Sequence, residues 1–173
     1  RAYTLYPGSP YAGALHASDL TDDSWVRLWA RDTVSAQDCR PVIDGRDLFL
    51  LRDLSGEIRP QGMTQRLRAY RWPGEGSPHV VRSDRDSFDL ALQWEYRYGR
   101  AFLGNPVADA TAVYIASEDG VIHAVSRETG KALWTHQLPR DRPAQKPGPG
   151  DWTPISLAQG RVLMGWEGHL YVL

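Results

Sequence analysis

The chain has little cysteine, almost no net charge and no long apolar run. Cys39 is its one cysteine, which excludes an internal disulfide framework and a zinc site built from several cysteines. The formal net charge of −1 lacks the basic excess that is typical of nucleic-acid-binding proteins, so we expect no nucleic-acid partner. No stretch approaches the roughly 18 apolar residues of a membrane-spanning helix, and we expect no membrane span.

Motifs for nucleotide binding and nucleophilic catalysis are also missing. The chain contains no GxSxG, GxxxxGK[ST] or GxGxxG pattern, and its histidines lack the HxxxH or HxH spacing of a metal site. The segment 84–95 has the acidic residues of a calcium loop. However, Asp89 stands where that loop needs a glycine, and Phe88 stands where it needs an oxygen ligand. We therefore predict no catalytic, cofactor-binding or metal-binding residue in this chain, and no cofactor.

Glycine, proline and tryptophan, by contrast, are abundant. The chain has 16 Gly, 12 Pro and 7 Trp but 3 Phe, and its turn residues are spread between short aromatic and β-branched runs. This pattern is typical of short strands joined by tight turns. No amphipathic stripe extends over three helical turns. The sequence therefore predicts an all-β protein.

An internal repeat indicates how these strands are organised. In two places a tryptophan is followed by a proline twelve residues later. In a third place the spacing is twenty residues, because a Pro/Gly-rich insert (139–150) lies between the tryptophan and the proline. The pairs are Trp29 and Pro41, Trp94 and Pro106, and Trp134 and Pro154. Each proline is followed by an apolar strand and then by a second strand with a small or apolar residue at its third position.

The clearest copy of the repeat runs from residue 106 to residue 138. Its pattern predicts an inner strand at 106–108, two strands joined by a turn at Asp119 and Gly120, a second turn at Thr129 and Gly130, and an outer strand at 132–138. Such a unit is a four-stranded antiparallel meander of roughly 40 residues, the size of one blade of a β-propeller. A single blade cannot bury both of its faces, so it must stack on neighbours.

The segment 113–134 closely resembles the repeat of PQQ-type β-propellers. The matching positions are Tyr114, Asp119, Gly120, Ala124, Thr129, Gly130 and Trp134. Ser126 departs from the pattern, which commonly has Asp there. This group covers quinoprotein alcohol dehydrogenases and many non-catalytic relatives, including the outer-membrane assembly lipoprotein BamB.

The resemblance implies one β-propeller domain over residues 1–173, with about four partial blades of antiparallel strands and fourteen strands in total. The expected blade remnants are 1–29, 41–94, 106–138 and 154–173. Trp29, Trp94 and Trp134 correspond to the tryptophan that packs between adjacent blades, and Asp119, Gly120, Thr129 and Gly130 are expected to be structural turn residues. Because the repeat is interrupted at both ends, we expect an incomplete propeller, covered there by further blades of the same polypeptide or by a partner protein.

Two functions are compatible with this resemblance. The first is a non-catalytic module for protein–protein interaction or assembly, which the resemblance favours in a bacterial periplasmic or extracellular setting. The alternative is a fragment of a PQQ-dependent dehydrogenase whose catalytic blades lie outside this chain. PQQ-binding relatives use acidic and amide calcium ligands and often a vicinal Cys-Cys disulfide. This chain has no Cys-Cys pair, and its one asparagine is Asn105.

Two histidines occupy slots that the repeat makes equivalent, His16 and His123. In the other copies the same slot holds Arg68 and Tyr171, so a symmetric ring of metal ligands around a channel is not expected. We interpret both histidines as half-buried strand residues.

Overall fold

The computed structural model describes residues 2–6, 14–19, 24–29, 42–53, 65–71, 91–140, 148 and 150–173. These residues form strands and turns and contain no helix. The strands are β1 (Ala2–Tyr6), β2 (Ala14–Asp19), β3 (Ser24–Trp29), β4 (Val42–Asp44), β5 (Asp47–Asp53), β6 (Gln65–Arg71), β7 (Ala91–Arg97), β8 (Phe102–Ala108), β9 (Ala112–Ser117), β10 (Val121–Ser126), β11 (Ala132–Gln137), β12 (Ser156–Ala158), β13 (Arg161–Trp166) and β14 (His169–Val172).

The strands are arranged in four antiparallel meanders that follow the order of the chain. The first blade contains β1 to β3, the second β4 to β7, the third β8 to β11 and the fourth β12 to β14. The all-β prediction is confirmed, and the fourteen strands in the described residues agree with the expected number. The innermost strand of the third blade, β8, contacts β4 and β5 of the second blade and β12 of the fourth.

The turns of the third blade form as the sequence predicts. Gly120 closes the β9–β10 turn, and its amide donates to the Ser117 carbonyl at 2.9 Å. Gly130 closes the β10–β11 turn, where its amide donates to the Ser126 carbonyl at 2.9 Å. The Ser126 hydroxyl also accepts a hydrogen bond from the Thr129 amide at 3.1 Å. A hydroxyl oxygen can therefore satisfy this turn at the position where the repeat commonly has Asp.

The inner strand of the third blade begins earlier than predicted. It starts at Phe102 rather than at Pro106, because Phe102 pairs with Ser117 and is buried with 4% exposure. The pairing is irregular between Leu103 and Val107. This bulge interrupts the alternation of apolar and polar residues on which the sequence analysis relied.

Each of the first three blades has a bulge in its outer strand at the same place. The pairs of residues that directly precede the shift in register are Leu15 and Trp29, Ala69 and Trp94, and Ala124 and Trp134. A bulge increases the local twist of a strand and redirects its side chains. The three tryptophans are thus equivalent in register, although their spacing from the preceding strand differs.

The same register corrects the prediction for His16. In the first blade the shift falls between Leu15 and His16, so His16 aligns with Tyr70 and Val125 of the next two blades. It does not align with His123. The alignment predicted from sequence is therefore wrong by two residues. A shift of two residues keeps His16 and His123 on the same face of their strands but at different positions.

Two apolar cores hold the last three blades together. Between the second and third blades lie Phe49, Leu51, Leu67, Ala69, Trp94, Phe102, Val113, Ile115 and Val125. Between the third and fourth blades lie Ala116, Ile122, Leu138, Ile155, Val162, Met164 and Trp166. Because side chains alternate between the two faces of a strand, β9 and β10 contribute to both cores.

Candidate functional site

Trp94 lies between the second and third blades. Its indole is buried with 8% exposure, and its Nε1 donates to the Arg127 carbonyl at 2.8 Å. The ring covers the β10–β11 turn so closely that a Cβ added to Gly130 would lie 2.7 Å from Trp94 Cγ. Phe49 stacks on the same indole, with ring centroids 6.0 Å apart. Trp94 therefore joins its own blade to the backbone of the next one.

Arg127 makes a second connection across the same interface. Its guanidinium donates to the carboxylates of Asp44 and Asp47, the latter at 3.2 Å, and to the Asp109 carbonyl at 3.0 Å. Its Cζ also lies 5.4 Å from the centroid of the Phe49 ring. Burial acts to lower the pKa of Arg127, but the two carboxylates outweigh burial and raise it. The side chain therefore stays charged and holds the β4–β5 hairpin against the third blade.

Trp166 fills the equivalent role between the third and fourth blades, and sequence reasoning missed it. Its side chain is fully buried, its Nε1 donates to the Pro139 carbonyl at 3.1 Å, and Arg140 lies over its ring. A Cβ added to Gly120 would lie 2.8 Å from this ring. Trp166 is on β13, the second strand of its blade, whereas the repeat pattern assigns packing tryptophans to the fourth. The sequence signal that could have indicated its burial is the period-two alternation of Val162, Met164 and Trp166 along β13.

A buried polar cluster also lies between the second and third blades, around His123. The side chains of His123 and Ser117 have no exposure, so the prediction of a half-buried His123 is wrong. His123 Nδ1 is 3.0 Å from the Tyr96 hydroxyl, and its Nε2 is 3.1 Å from Ser117 Oγ. Ser117 Oγ donates to Asp119 Oδ1 at 2.5 Å, and the Tyr98 hydroxyl donates to Asp119 Oδ2 at 2.9 Å.

The geometry of this cluster differs from that of a nucleophilic triad. In a triad the serine hydroxyl donates to the histidine, which in turn donates to the carboxylate. Here Ser117 donates to Asp119 directly, so His123 does not act on the hydroxyl as a base. Neither Ser117 nor His123 is exposed to a substrate. The cluster therefore connects two blades and has no catalytic arrangement.

Burial sets the protonation states in this cluster. Burial lowers the pKa of His123 to about 4, and the nearby Asp119 carboxylate offsets only part of that effect. Burial also acts to raise the pKa of Asp119, but hydrogen bonds from Ser117 and Tyr98 outweigh it and lower the pKa. Burial and the bond to Asp119 raise the pKa of Tyr98 to about 12. At neutral pH the cluster thus contains a neutral imidazole and an ionised carboxylate.

Large apolar side chains are exposed on the fourth blade and on the face of the third blade that meets the fourth. Trp134 is 39% exposed and contacts Tyr114, with ring centroids 5.8 Å apart. On β14, Leu170 is 69% exposed and Val172 is 47% exposed. Among the described residues, β14 pairs with β13 alone. We refer to β14 with Leu170 and Val172 as the open edge.

Several acidic side chains of the second and third blades are engaged in internal bonds. Glu95 accepts from Arg66, Arg68 and Arg97, with Arg68 Nε at 2.7 Å and Arg97 Nε at 2.6 Å. Asp109 accepts from the amides of Thr111 and Ala112 and from the Tyr114 hydroxyl. No group of three or more His, Cys, Asp or Glu among the described residues is placed to hold a metal. These donor sets do not fit a calcium–quinone site.

The remaining predicted residues are distributed as follows. Two turns of the third blade contain the predicted turn residues: the β9–β10 turn contains Asp119 and Gly120, and the β10–β11 turn contains Thr129 and Gly130. A tryptophan of a neighbouring blade lies against the glycine of each turn, Trp166 against Gly120 and Trp94 against Gly130. Trp29 ends β3, but its side chain is outside the described part, as are Cys39 and the residues 84–90 of the calcium-loop candidate. The described residues include no helix of the length and hydropathy that would cross a membrane.

The comparisons with known proteins bear on this fold. No protein-family model matches the chain. The chain is 31% identical over 90 residues to a quinohemoprotein alcohol dehydrogenase of Comamonas testosteroni, which covers 49% of this chain and 13% of the dehydrogenase. The crystal structure of BamB from Moraxella catarrhalis superposes on 99% of this chain and 45% of its own, with a TM-score of 0.53 and 17% sequence identity.

This chain has the fold of a PQQ-like, BamB-type β-propeller. The PQQ-like repeat recognised in the sequence and the four meanders of the structure agree with both comparisons. The chain spans less than half the length of either protein.

Proposed function

We propose that this PQQ-like propeller module is non-catalytic and serves as a protein–protein interaction or assembly scaffold. The observation that carries the proposal is the open edge, where two large apolar side chains are exposed on a strand whose second edge has no partner among the described residues. An unpaired edge offers backbone donors and acceptors to a strand from another segment. Exposed apolar side chains on one face of that strand supply the contact area.

The other blades indicate what kind of segment fits there. The strands β2, β6 and β10, equivalent to β14, each pair with an outer strand that carries a tryptophan. Trp94 is covered by the turn of the following blade, whereas its equivalent Trp134 is 39% exposed. The proposed partner segment adds an antiparallel strand to β14 and covers Trp134 with a turn that contains a glycine. This segment belongs to another protein or to further blades of the same polypeptide.

Association of the chain tests this proposal. We expect the 173-residue chain to bind an apolar-surface dye and to sediment as more than a monomer, because the open edge drives association. Leu170→Ser should shift the sedimentation coefficient toward the monomer and reduce dye binding. The matched control is Leu92→Ser, which alters a 50% exposed leucine on β7 of the second blade and should change neither. A wild-type monomer without dye-accessible surface contradicts the proposal.

A second candidate function rests on the similarity to the quinohemoprotein alcohol dehydrogenase. In this alternative the chain is part of a PQQ-dependent dehydrogenase, and the catalytic blades lie outside it. The engaged acidic residues of the second and third blades argue against a quinone site within the described residues. Because the alternative places its quinone site in other blades, the open edge is the observation that favours the interaction module.

A further inference from the structure

We propose that the interface between the second and third blades carries a pH-sensitive latch, formed by a directed chain of hydrogen bonds that requires a neutral His123. The members of this chain are Tyr96, His123, Ser117, Asp119 and Tyr98. It connects β7 and the segment that follows it to β9, β10 and the turn between them. No catalytic role is involved, since the latch acts on the contact between two blades.

The direction of the chain follows from counting protons. The Ser117 hydroxyl has one proton, which it shares between Asp119 Oδ1 at 2.5 Å and the Val121 carbonyl at 3.1 Å. Both of these groups are acceptors only. Ser117 Oγ must therefore accept from His123 Nε2, which fixes the imidazole proton on Nε2. Nδ1 is then unprotonated and accepts from the Tyr96 hydroxyl.

Protonation of His123 would break this arrangement at Nδ1. A proton on Nδ1 turns that nitrogen into a donor, and the Tyr96 hydroxyl must then rotate its own proton away to accept. The bond that Tyr96 donates to Nδ1 is then lost, while the imidazolium itself stays buried in a largely apolar enclosure. The rings around His123 are those of Tyr96, Tyr98 and Phe102, with centroids 5.8, 4.3 and 5.8 Å from its own.

The charged groups near His123 do not compensate for an imidazolium. The titratable groups that face it are Tyr96 of β7, Tyr98 of the following segment and Asp119 of the β9–β10 turn, while β8 contributes the apolar Phe102. Asp119 is the one carboxylate among them, and its two oxygens already accept from Ser117 and Tyr98. The net effect of burial is a pKa of about 4 for His123.

The sign of the pH dependence follows from this pKa. The folded-state value lies below the ordinary value of 6.5 that applies to the unfolded chain. Stability from the latch is therefore complete above pH 6.5 and is lost as the pH falls from 6.5 toward 4. We expect the unfolding equilibrium constant to rise on the order of tenfold between pH 7 and pH 5 because of His123 alone.

Urea unfolding of the full chain at pH 7 and pH 5 tests this effect. His123→Gln retains a hydrogen-bond acceptor and a donor but cannot titrate. Between pH 7 and pH 5 its unfolding equilibrium constant should therefore rise by a factor on the order of tenfold smaller than that of the wild type. The matched control His136→Gln removes an exposed histidine from β11 and should retain the wild-type dependence. Because other acidic groups titrate equally in all three proteins, the difference isolates His123. Parallel pH profiles for the wild type and His123→Gln overturn the proposal.

A measurement on the wild type does not depend on the variant folding. With ¹⁵N-labelled histidine, the nitrogen chemical shifts report which ring nitrogen carries the proton. We expect one histidine to show the Nε2–H tautomer and to remain neutral down to pH 5. If no histidine remains neutral at pH 5, or if the one that does carries its proton on Nδ1, the latch does not exist.

Discussion

The indole of Trp94 and the backbone of Gly130 are fitted so closely that neither has room for a larger group. Gly130 has a φ of +70°, a conformation that side chains with a Cβ adopt at a cost. The space above its Cα is filled by Trp94, whose Cβ, Cγ and Cδ2 all lie within 2.8 Å of an added Cβ. The geometry of the turn and the packing of the tryptophan therefore depend on the same glycine.

A pair of substitutions separates the effect of the left-handed backbone at Gly130 from the effect of the overlap with Trp94. Gly130→Ala should lower the free energy of unfolding by about 1–2 kcal/mol for the left-handed backbone and by a further ~1–3 kcal/mol for the overlap with Trp94. Gly160→Ala is the control, because Gly160 has a φ of +73° and nothing lies within 4 Å of its added Cβ. Urea unfolding of both variants gives the comparison. Equal losses would show that Trp94 does not constrain the turn.

Single residues were predictable where a local pattern determines them. The twelve-residue spacing between tryptophan and proline led to Trp94, whose burial and bond to Arg127 the structure then shows. Trp166 was missed because its packing depends on which face of β13 meets the third blade, a property of the assembled sheets. The full burial of His123 was missed for the same reason. A sequence gives the alternation of a strand but not the neighbour on each face.

At the scale of elements, the strands follow from period-two alternation and from turn residues. The β9–β10 hairpin and the outer strand β11 are close to their predicted limits, because an Asp-Gly and a Thr-Gly turn bound them. The start of β8 was wrong because Gly104 and Pro106 stand within a bulge, where alternation fails. The bulges in β3, β7 and β11 were likewise not visible in the spacing of residues.

Glu95 connects two elements of the second blade and should make their pairing sensitive to acid. It receives hydrogen bonds from Arg66 and Arg68 on β6, the strand beside its own. Burial acts to raise the pKa of Glu95, but these bonds and the one from Arg97 outweigh burial and lower it. Its contribution to stability is therefore complete above pH 4.5 and is lost as the pH falls below that value.

We expect Glu95→Gln to cost about 1.5–3 kcal/mol of unfolding free energy at pH 7, the range for hydrogen bonds to charged groups. The variant should also lose less stability than the wild type between pH 5 and pH 3. Urea unfolding at the three pH values measures both effects. Glu128→Gln, an exposed change in the β10–β11 turn, is the control and should behave as the wild type. An unchanged acid profile in Glu95→Gln would show that the arginines do not act through this carboxylate.

At the scale of the whole molecule, the third blade is the part that joins the others. Its strands β9 and β10 contribute to the core with the second blade through one face and to the core with the fourth blade through the other. Each blade of such a repeat contacts its neighbours alone, so stability is a sum of blade and interface contributions. This organisation was predictable from the repeat, since one blade cannot bury both faces.

The absence of a quinone site within this chain is a prediction at the scale of the whole molecule. After incubation with PQQ and calcium followed by desalting, we expect no quinone absorbance to remain with the protein. The physical reason is that Glu95, Asp109 and Asp119 already accept hydrogen bonds from internal donors, so a calcium ion would have to break those bonds to recruit them. Bovine serum albumin carried through the same steps controls for non-specific retention. Stoichiometric, calcium-dependent retention would contradict the prediction and would show that the chain itself contains a quinone site.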